Sequence, residues 1–136
     1  MRNLRILVAG GAVAAALAIA AACGGGSSSN PNGPSGACTP STNPNTIVIQ
    51  NNQVCPQALT IARGSQLTMI NNDSQDHEMD SDPHPEHTDC PELNQIGFLS
   101  RGQQRSSGNL NTARRCGFHD HRNPDNGLLK GTITIQ

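Results

Sequence analysis

The residues most able to do chemistry in this chain are its cysteines and histidines. The 136 residues include five Cys and five His, but no Trp, no Tyr and only two Phe. Two aromatic side chains are too few to line a pocket for an organic ligand. We therefore expect the cysteines and histidines to bind metal or form disulfides. The formal charge of −1 lacks the basic excess that nucleic-acid binding needs, and no nucleic-acid partner is expected.

The histidines form two groups, one in an acidic segment and one directly after a cysteine. Segment 71–92 holds three of the five histidines and eight of the ten acidic residues, and the second group follows Cys116. The first group is His77, His84 and His87, and the second is His119 and His121. Imidazole and thiolate donors together suit copper or zinc, whereas calcium prefers oxygen ligands. The pattern therefore predicts a copper or zinc site.

The N-terminus has the layout of a bacterial export signal. Arg2 and Arg5 precede an uncharged, Ala-rich apolar run that ends in small residues before Cys23. This layout is typical of a secretory signal. The residues before Cys23 resemble a lipobox, so we predict a signal peptide at 1–22 and lipidation of Cys23. The alternative is a soluble secreted protein cleaved at the same place. We expect an exported lipoprotein anchored to a membrane and facing the periplasm or the cell exterior.

Residues 23–45 are almost all Gly, Ser, Asn, Pro and Thr. Such a segment cannot bury enough apolar surface to fold, and it predicts a flexible tether ahead of a domain at 46–136. Export would place the chain where disulfides persist. Lipidation of Cys23 leaves an even set of four cysteines. Cys38, in the tether, has Cys55 as its nearest candidate partner.

Four segments of the domain have the alternation or the β-branched runs typical of strands. Each is bounded by Asn, Pro or Gly, and short strands about ten residues apart predict an all-β sandwich or barrel. Segment 80–91 is too rich in Pro to continue a strand, so we predict a loop there. The four predicted strands are 46–50, 58–62, 66–70 and 131–136.

Three pieces of the domain together resemble the cupredoxins, the plastocyanin- and azurin-like blue copper proteins. Segment 64–72, followed by His77, is similar to the strand, paired Asn and first copper His of that family. Segment 116–121 resembles the ligand loop, and 129–135 resembles the closing strand. The resemblance implies a Greek-key β-sandwich or barrel that binds copper. It also implies one-electron transfer with exported redox partners. No Ser/His/Asp arrangement or nucleophile elbow is recognisable in the sequence, so we expect a protein that is not an enzyme, and we expect it to be a monomer.

The same resemblance implies a ligand set. His77 would give one imidazole and Cys116 the thiolate. His119 and His121 are alternatives for the second imidazole, because the family uses both spacings. Leu129 stands at the axial position, where Met is usual. This predicts a trigonal copper site without a thioether ligand, a geometry that favours rapid one-electron exchange.

Two departures from the family keep other interpretations open. Arg114 stands where an aromatic residue usually precedes the ligand Cys. In a shifted register Cys116 could instead be disulfide-bonded to Cys90, and a disulfide sulfur cannot act as a thiolate ligand. The chain would then be a His-rich copper or zinc binding protein for metal handling. A further alternative is a structural envelope lipoprotein with a degenerate site.

Two more features have alternative interpretations. His84 and His87 belong either to a solvated acidic loop held by Cys90 or to an accessory set of metal ligands. Asp120, between His119 and His121, is predicted either as a surface turn residue or as a carboxylate that orients one imidazole ring. The outcome depends on which side chains the fold brings together.

Overall fold

The computed structural model describes residues 36–136, which form two β-sheets joined by loops and two short 3-10 helices. The predicted signal peptide, Cys23 and the tether up to residue 35 lie outside the described residues. No helix in the described part is long and apolar enough to cross a membrane. The helices span Leu93–Gln95 and Gly127–Leu129. The strands are β1 (Thr46–Gln50), β2 (Gln53–Cys55), β3 (Ala58–Ile61), β4 (Thr68–Asn71), β5 (His77–Ser81), β6 (Gly97–Leu99), β7 (Gln104–Ser106), β8 (Arg114–Asp120) and β9 (Lys130–Ile135).

The strands divide into a four-stranded sheet in the order β2-β1-β4-β7 and a five-stranded sheet in the order β3-β9-β8-β5-β6. β1 pairs parallel with β4, and β3 pairs parallel with β9, while the other pairs are antiparallel. The prediction of an all-β sandwich is confirmed. All four strands predicted from alternation are present, with boundaries that differ by at most two residues.

The hydrophobic core draws on apolar side chains of both sheets. Ile47, Met69 and Ile133 are fully buried. Of the two Phe residues, Phe118 is fully buried and Phe98 is 41% exposed. Aliphatic side chains therefore fill most of the core.

Two disulfides join loops to strands. Cys38–Cys55 ties the segment before β1 to the end of β2, which confirms the pairing expected from proximity. Cys90–Cys116 ties the segment after β5 to the middle of β8. Both sulfurs of this second disulfide belong to the buried core.

Strand β8 carries candidate site residues on both of its faces. Successive side chains on a strand point to opposite sides of the sheet. Cys116 and Phe118 lie in the core, so Asp120 points to the inner side. Gly117 and His119 point to the outer side, where the segment after β5 covers them. The two faces of one strand therefore carry different polar groups.

Candidate metal centre

Four histidines meet on the outer side of the five-stranded sheet. His119 is the next-to-last residue of β8, and His121 lies in the turn directly after the strand, on the same side as His119. His84 and His87 come from the loop after β5. One nitrogen of each imidazole lies within 4.8 Å of one nitrogen of every other. Nitrogens bound about 2 Å from one metal lie about 3 to 4 Å apart, so this group, which we call the histidine cluster, is compact enough to hold a single ion.

His119 has the strongest structural indication of a ligand role. Its Nδ1 lies 2.7 Å from Oδ1 of Asp82, so that in the neutral ring Nδ1 donates to the carboxylate and Nε2 carries the free lone pair. Nε2 is buried and has no hydrogen-bond partner. A buried polar atom without a partner costs about 1 to 3 kcal/mol. A metal ion in the histidine cluster would satisfy this atom.

Asp82 is held beside His119 by the backbone of β8. The Asp82 N–H donates to the Gly117 carbonyl oxygen at 3.0 Å. Gly117 faces the same side of the sheet, and a Cβ at this position would collide with the Asp82 carboxyl group. The missing side chain of Gly117 is thus the space in which the Asp82 carboxylate lies. Asp82 was not identified from the sequence as a site residue, although its place beside a Gly of the ligand strand gives it this role.

Gly117→Ala is expected to weaken metal binding without preventing folding. The new methyl group would push the Asp82 carboxylate away from His119. Removal of such an outer partner typically costs 10- to 100-fold in metal affinity, so we expect a decrease of about 10- to 100-fold in a competition titration. Gly127→Ala is the matched control, because a Cβ there meets nothing within 4 Å. Equal affinities for the two variants would contradict the role of Gly117.

His87 and His121 lie within hydrogen-bond distance of each other. Nδ1 of His121 is 3.1 Å from Nε2 of His87. His87 has a left-handed φ of 53°, which is uncommon for a residue other than Gly. Its N–H donates to the Pro83 carbonyl at 2.7 Å, and its own carbonyl accepts from Asn94 Nδ2 at 2.9 Å. The backbone therefore holds His87 in an unfavourable conformation that points its ring at His121.

A solvent-filled cleft of about 600 Å³ opens beside the histidine cluster. His84 is exposed and its ring centroid lies 4.9 Å from that of His121 and 5.4 Å from that of His119. The cleft reaches the cluster on the side of His84 and His119. Its lining residues are Asp82, Pro83, His84, His119, Pro124, Asp125 and Lys130.

His77 lies on the inner side of the sheet and is not part of the histidine cluster. Its Nδ1 donates to Oδ2 of Asp120 at 2.8 Å, and its Nε2 is 3.4 Å from Oδ2 of Asp73. Both nitrogens are thus engaged by carboxylates. The structure does not bring His77 together with His119 and His121. Asp120 does orient an imidazole ring, but that ring belongs to His77.

The expected thiolate and axial residues also lie outside the cluster. Cys116 is disulfide-bonded to Cys90, so the prediction of a Cys116 thiolate ligand is wrong, and the alternative pairing is confirmed. Leu129 is fully buried in the hydrophobic core. A copper site made of His77, Cys116 and Leu129 therefore does not fit these residues. His119 and His121, expected as alternatives, instead come together with the loop histidines His84 and His87.

The buried pair of His77 and Asp120 makes stability depend on pH. Burial alone would lower the pKa of His77, but the hydrogen bonds to and charges of Asp120 and Asp73 outweigh it and raise that pKa. Burial would likewise raise the pKa of Asp120, but the hydrogen bonds from His77 and the Glu78 N–H outweigh it and lower that pKa. Each group therefore favours the charged form of the other.

We expect the pair to stabilise the metal-free protein most between about pH 4 and pH 6.5, the ordinary pKa values of Asp and His. A raised His pKa contributes stability below its unfolded value that is lost as the pH rises through the folded value. A lowered Asp pKa contributes stability that is lost as the pH falls through the folded value. Urea unfolding across pH, compared between the wild type and His77→Gln, measures this. Parallel profiles for the two proteins would contradict it.

The order of strands in two sheets that share one core defines a cupredoxin-like fold, which comparison with solved structures supports. A purple cupredoxin from Nitrosopumilus maritimus is 17% identical to this chain and superimposes on it with a TM-score of 0.52. The match covers 67% of this chain and 98% of the purple cupredoxin. The oxidised form of plastocyanin from Dryopteris crassirhizoma is 17% identical, with a TM-score of 0.54. The match covers 67% of this chain and 99% of the plastocyanin.

A copper-containing nitrite reductase from Thermus scotoductus SA-01 is 18% identical, with a TM-score of 0.52. The match covers 74% of this chain and 24% of the nitrite reductase. No protein-family model and no curated protein matches the sequence. Identities this low establish the fold alone. The predicted cupredoxin-like β-sandwich is confirmed.

Proposed function

We propose that this chain binds copper through the histidine cluster of its cupredoxin-like domain and serves in metal handling. The observation that carries this proposal is the buried, partnerless Nε2 of His119 within a group of four imidazoles. The hydrogen bond from His119 to Asp82 supports it, because outer carboxylates commonly fix the ring orientation of metal-binding histidines. When bound, copper would supply the positive charge that draws the four lone pairs together.

Copper is favoured over zinc by the donor chemistry. Nitrogen donors bind both metals, but Cu²⁺ forms the stronger complexes of the first-row divalent ions. The names of the structural neighbours also mention copper or a copper protein class. Zinc is the second candidate, since four imidazoles can also surround it in a tetrahedral geometry.

Metal handling is favoured over one-electron transfer by the absence of a thiolate. The disulfide removes Cys116 from the donor set, and with it the trigonal geometry that would allow rapid electron exchange. One-electron transfer remains the second candidate, supported by the likeness to plastocyanin. Reversible voltammetry of the copper-loaded protein would support it. The expected lack of enzymatic activity stays a prediction.

We also propose that the protein is exported and anchored through Cys23. Two disulfides among the described cysteines support an oxidising location, because such bonds are rare in reducing compartments. Mass analysis of the membrane-extracted protein should find diacylglycerol on Cys23. Recovery of an unmodified chain from the soluble fraction alone would contradict the anchor.

Titration of the purified protein with Cu²⁺ tests the copper proposal. We expect one copper per chain, an electron paramagnetic resonance spectrum split by nitrogen ligands, and no intense thiolate-to-copper absorption band. His77→Gln is the matched control, because it removes the one histidine outside the cluster and should keep the copper stoichiometry. An intense thiolate band would overturn the four-imidazole set. Absence of stoichiometric binding would overturn the function.

A further inference from the structure

We propose that His84 is the exchangeable ligand of the histidine cluster, the position through which copper is loaded and passed to a nitrogen-donor site on an acceptor protein. This inference rests on the proposed copper function. It assigns unequal roles to four residues of the same type. Three of them would form a fixed platform, and the fourth would open and close the coordination sphere.

The first argument is the difference in how the four histidines are held. His119 is fixed through Nδ1 by Asp82, and His87 is fixed through its backbone N–H and carbonyl. The N–H of His121 donates to the Glu78 carbonyl at 2.7 Å. Within residues 36–136, neither the ring nor the backbone of His84 has any such bond. Among the described residues, His84 is therefore the only member of the cluster that no hydrogen bond holds in place.

The second argument is access. His119 is 1% exposed, His87 and His121 are half-buried, and His84 is exposed. The cleft beside the cluster is lined by His84 and His119, but not by the other two histidines. An incoming ligand that enters this cleft would therefore meet the cluster at the His84 side. Departure of His84 would uncover the coordination position without moving β8.

The third argument is the charge of the cleft. Two carboxylates, from Asp82 and Asp125, and one amine, from Lys130, line it. An excess of negative charge raises the local concentration of cations. The cleft therefore suits the passage of a metal cation better than the binding of an anionic substrate. This favours transfer of the metal over catalysis on an anion.

The exchange itself needs no redox partner. The dative bond between a His84 nitrogen and the copper ion breaks as a bond from the acceptor's nitrogen donor forms. Both donors are neutral imidazole-type groups, so the charge and oxidation state of the ion are unchanged. The other three histidines keep the ion bound until further acceptor ligands replace them.

The test compares copper-loaded His84→Ala, His119→Ala and wild type. Copper transfer to excess EDTA is followed by stopped-flow absorbance, and affinity is measured by competition. Glu86→Ala, an exposed change on the same loop, is the matched control. We expect His84→Ala to keep one copper per chain and to transfer it about tenfold faster than wild type, since affinity differences lie mainly in dissociation rates. Added imidazole should slow this transfer by filling the open position.

His119→Ala should instead lose stoichiometric copper binding, and Glu86→Ala should behave like wild type. If wild type binds copper but His84→Ala transfers it no faster, or loses as much affinity as His119→Ala, the role of His84 is overturned and the copper site stands. If wild type itself binds no copper, the proposed function fails first. The two failures are thus distinguishable.

Discussion

Replacement of His119 by Ala is expected to lower the copper affinity of the protein by more than about 100-fold. Loss of an outer partner alone typically costs 10- to 100-fold, and His119 supplies a donor atom directly. Its Nε2 is the buried nitrogen that lacks any other partner, and its backbone sits in a central strand. Isothermal titration or chelator competition with Cu²⁺ measures the loss.

The fold of this variant should persist, because His119 faces the outer side of the sheet, away from the hydrophobic core. Circular dichroism and urea unfolding of the metal-free variant check this. His77→Gln serves as the comparison, since its ring contacts carboxylates and lies outside the cluster. Wild-type affinity in a folded His119→Ala variant would rule out the histidine cluster as the metal site.

Removal of the Cys90–Cys116 disulfide is expected to weaken folding and copper binding together. The two cysteines are 26 residues apart in the sequence. For a loop of this length the chain-entropy relation predicts that removal of the disulfide lowers the free energy of unfolding by about 3 to 4 kcal/mol. The same bond ties the loop of His84 and His87 to the strand of His119. A Cys90→Ala/Cys116→Ala variant should therefore bind copper more weakly, by about tenfold or more, because the loop must be ordered on binding.

The Cys38–Cys55 disulfide provides a matched control. Its 17-residue separation predicts a similar loss of about 3 kcal/mol on removal. It joins the segment before β1 to β2, in the other sheet. A Cys38→Ala/Cys55→Ala variant should therefore lose stability but keep its copper affinity. Urea unfolding and copper competition on both variants separate the two effects. Equal affinity losses would show that the Cys90–Cys116 bond has no specific link to the site.

The fold class was predictable because alternation and β-branched runs mark β1, β3, β4 and β9. The central strands β8 and β5 of the five-stranded sheet were not predicted. β1 and β9 have continuous apolar or alternating residues that bury one face in the core. β7 was missed because its three residues are all exposed. β2 was missed because three residues are too few to show a period, although Asn51 and Asn52 form the left-handed turn before it.

The sequence predicted the chemistry of the candidate site, which is metal binding by imidazole, but not which histidines form it. If the alternation of β8 continues one residue past its end, His119 and His121 share a face, so they belong together rather than as alternatives. Which face they share depends on the register of β8, and the resemblance to cupredoxins implied a register in which Cys116 is a ligand. The contacts of His84 and His87 depend on the path of a long loop, which no local pattern encodes.

The outward position of the histidine cluster has a consequence for the order of assembly. The ion would rest on a sandwich whose core, strand pairing and disulfides are already complete without it. Folding and copper acquisition would then be separate events, in that order. A chelator should strip the copper and leave a folded, reloadable scaffold, so that one molecule can go through repeated cycles of loading and release.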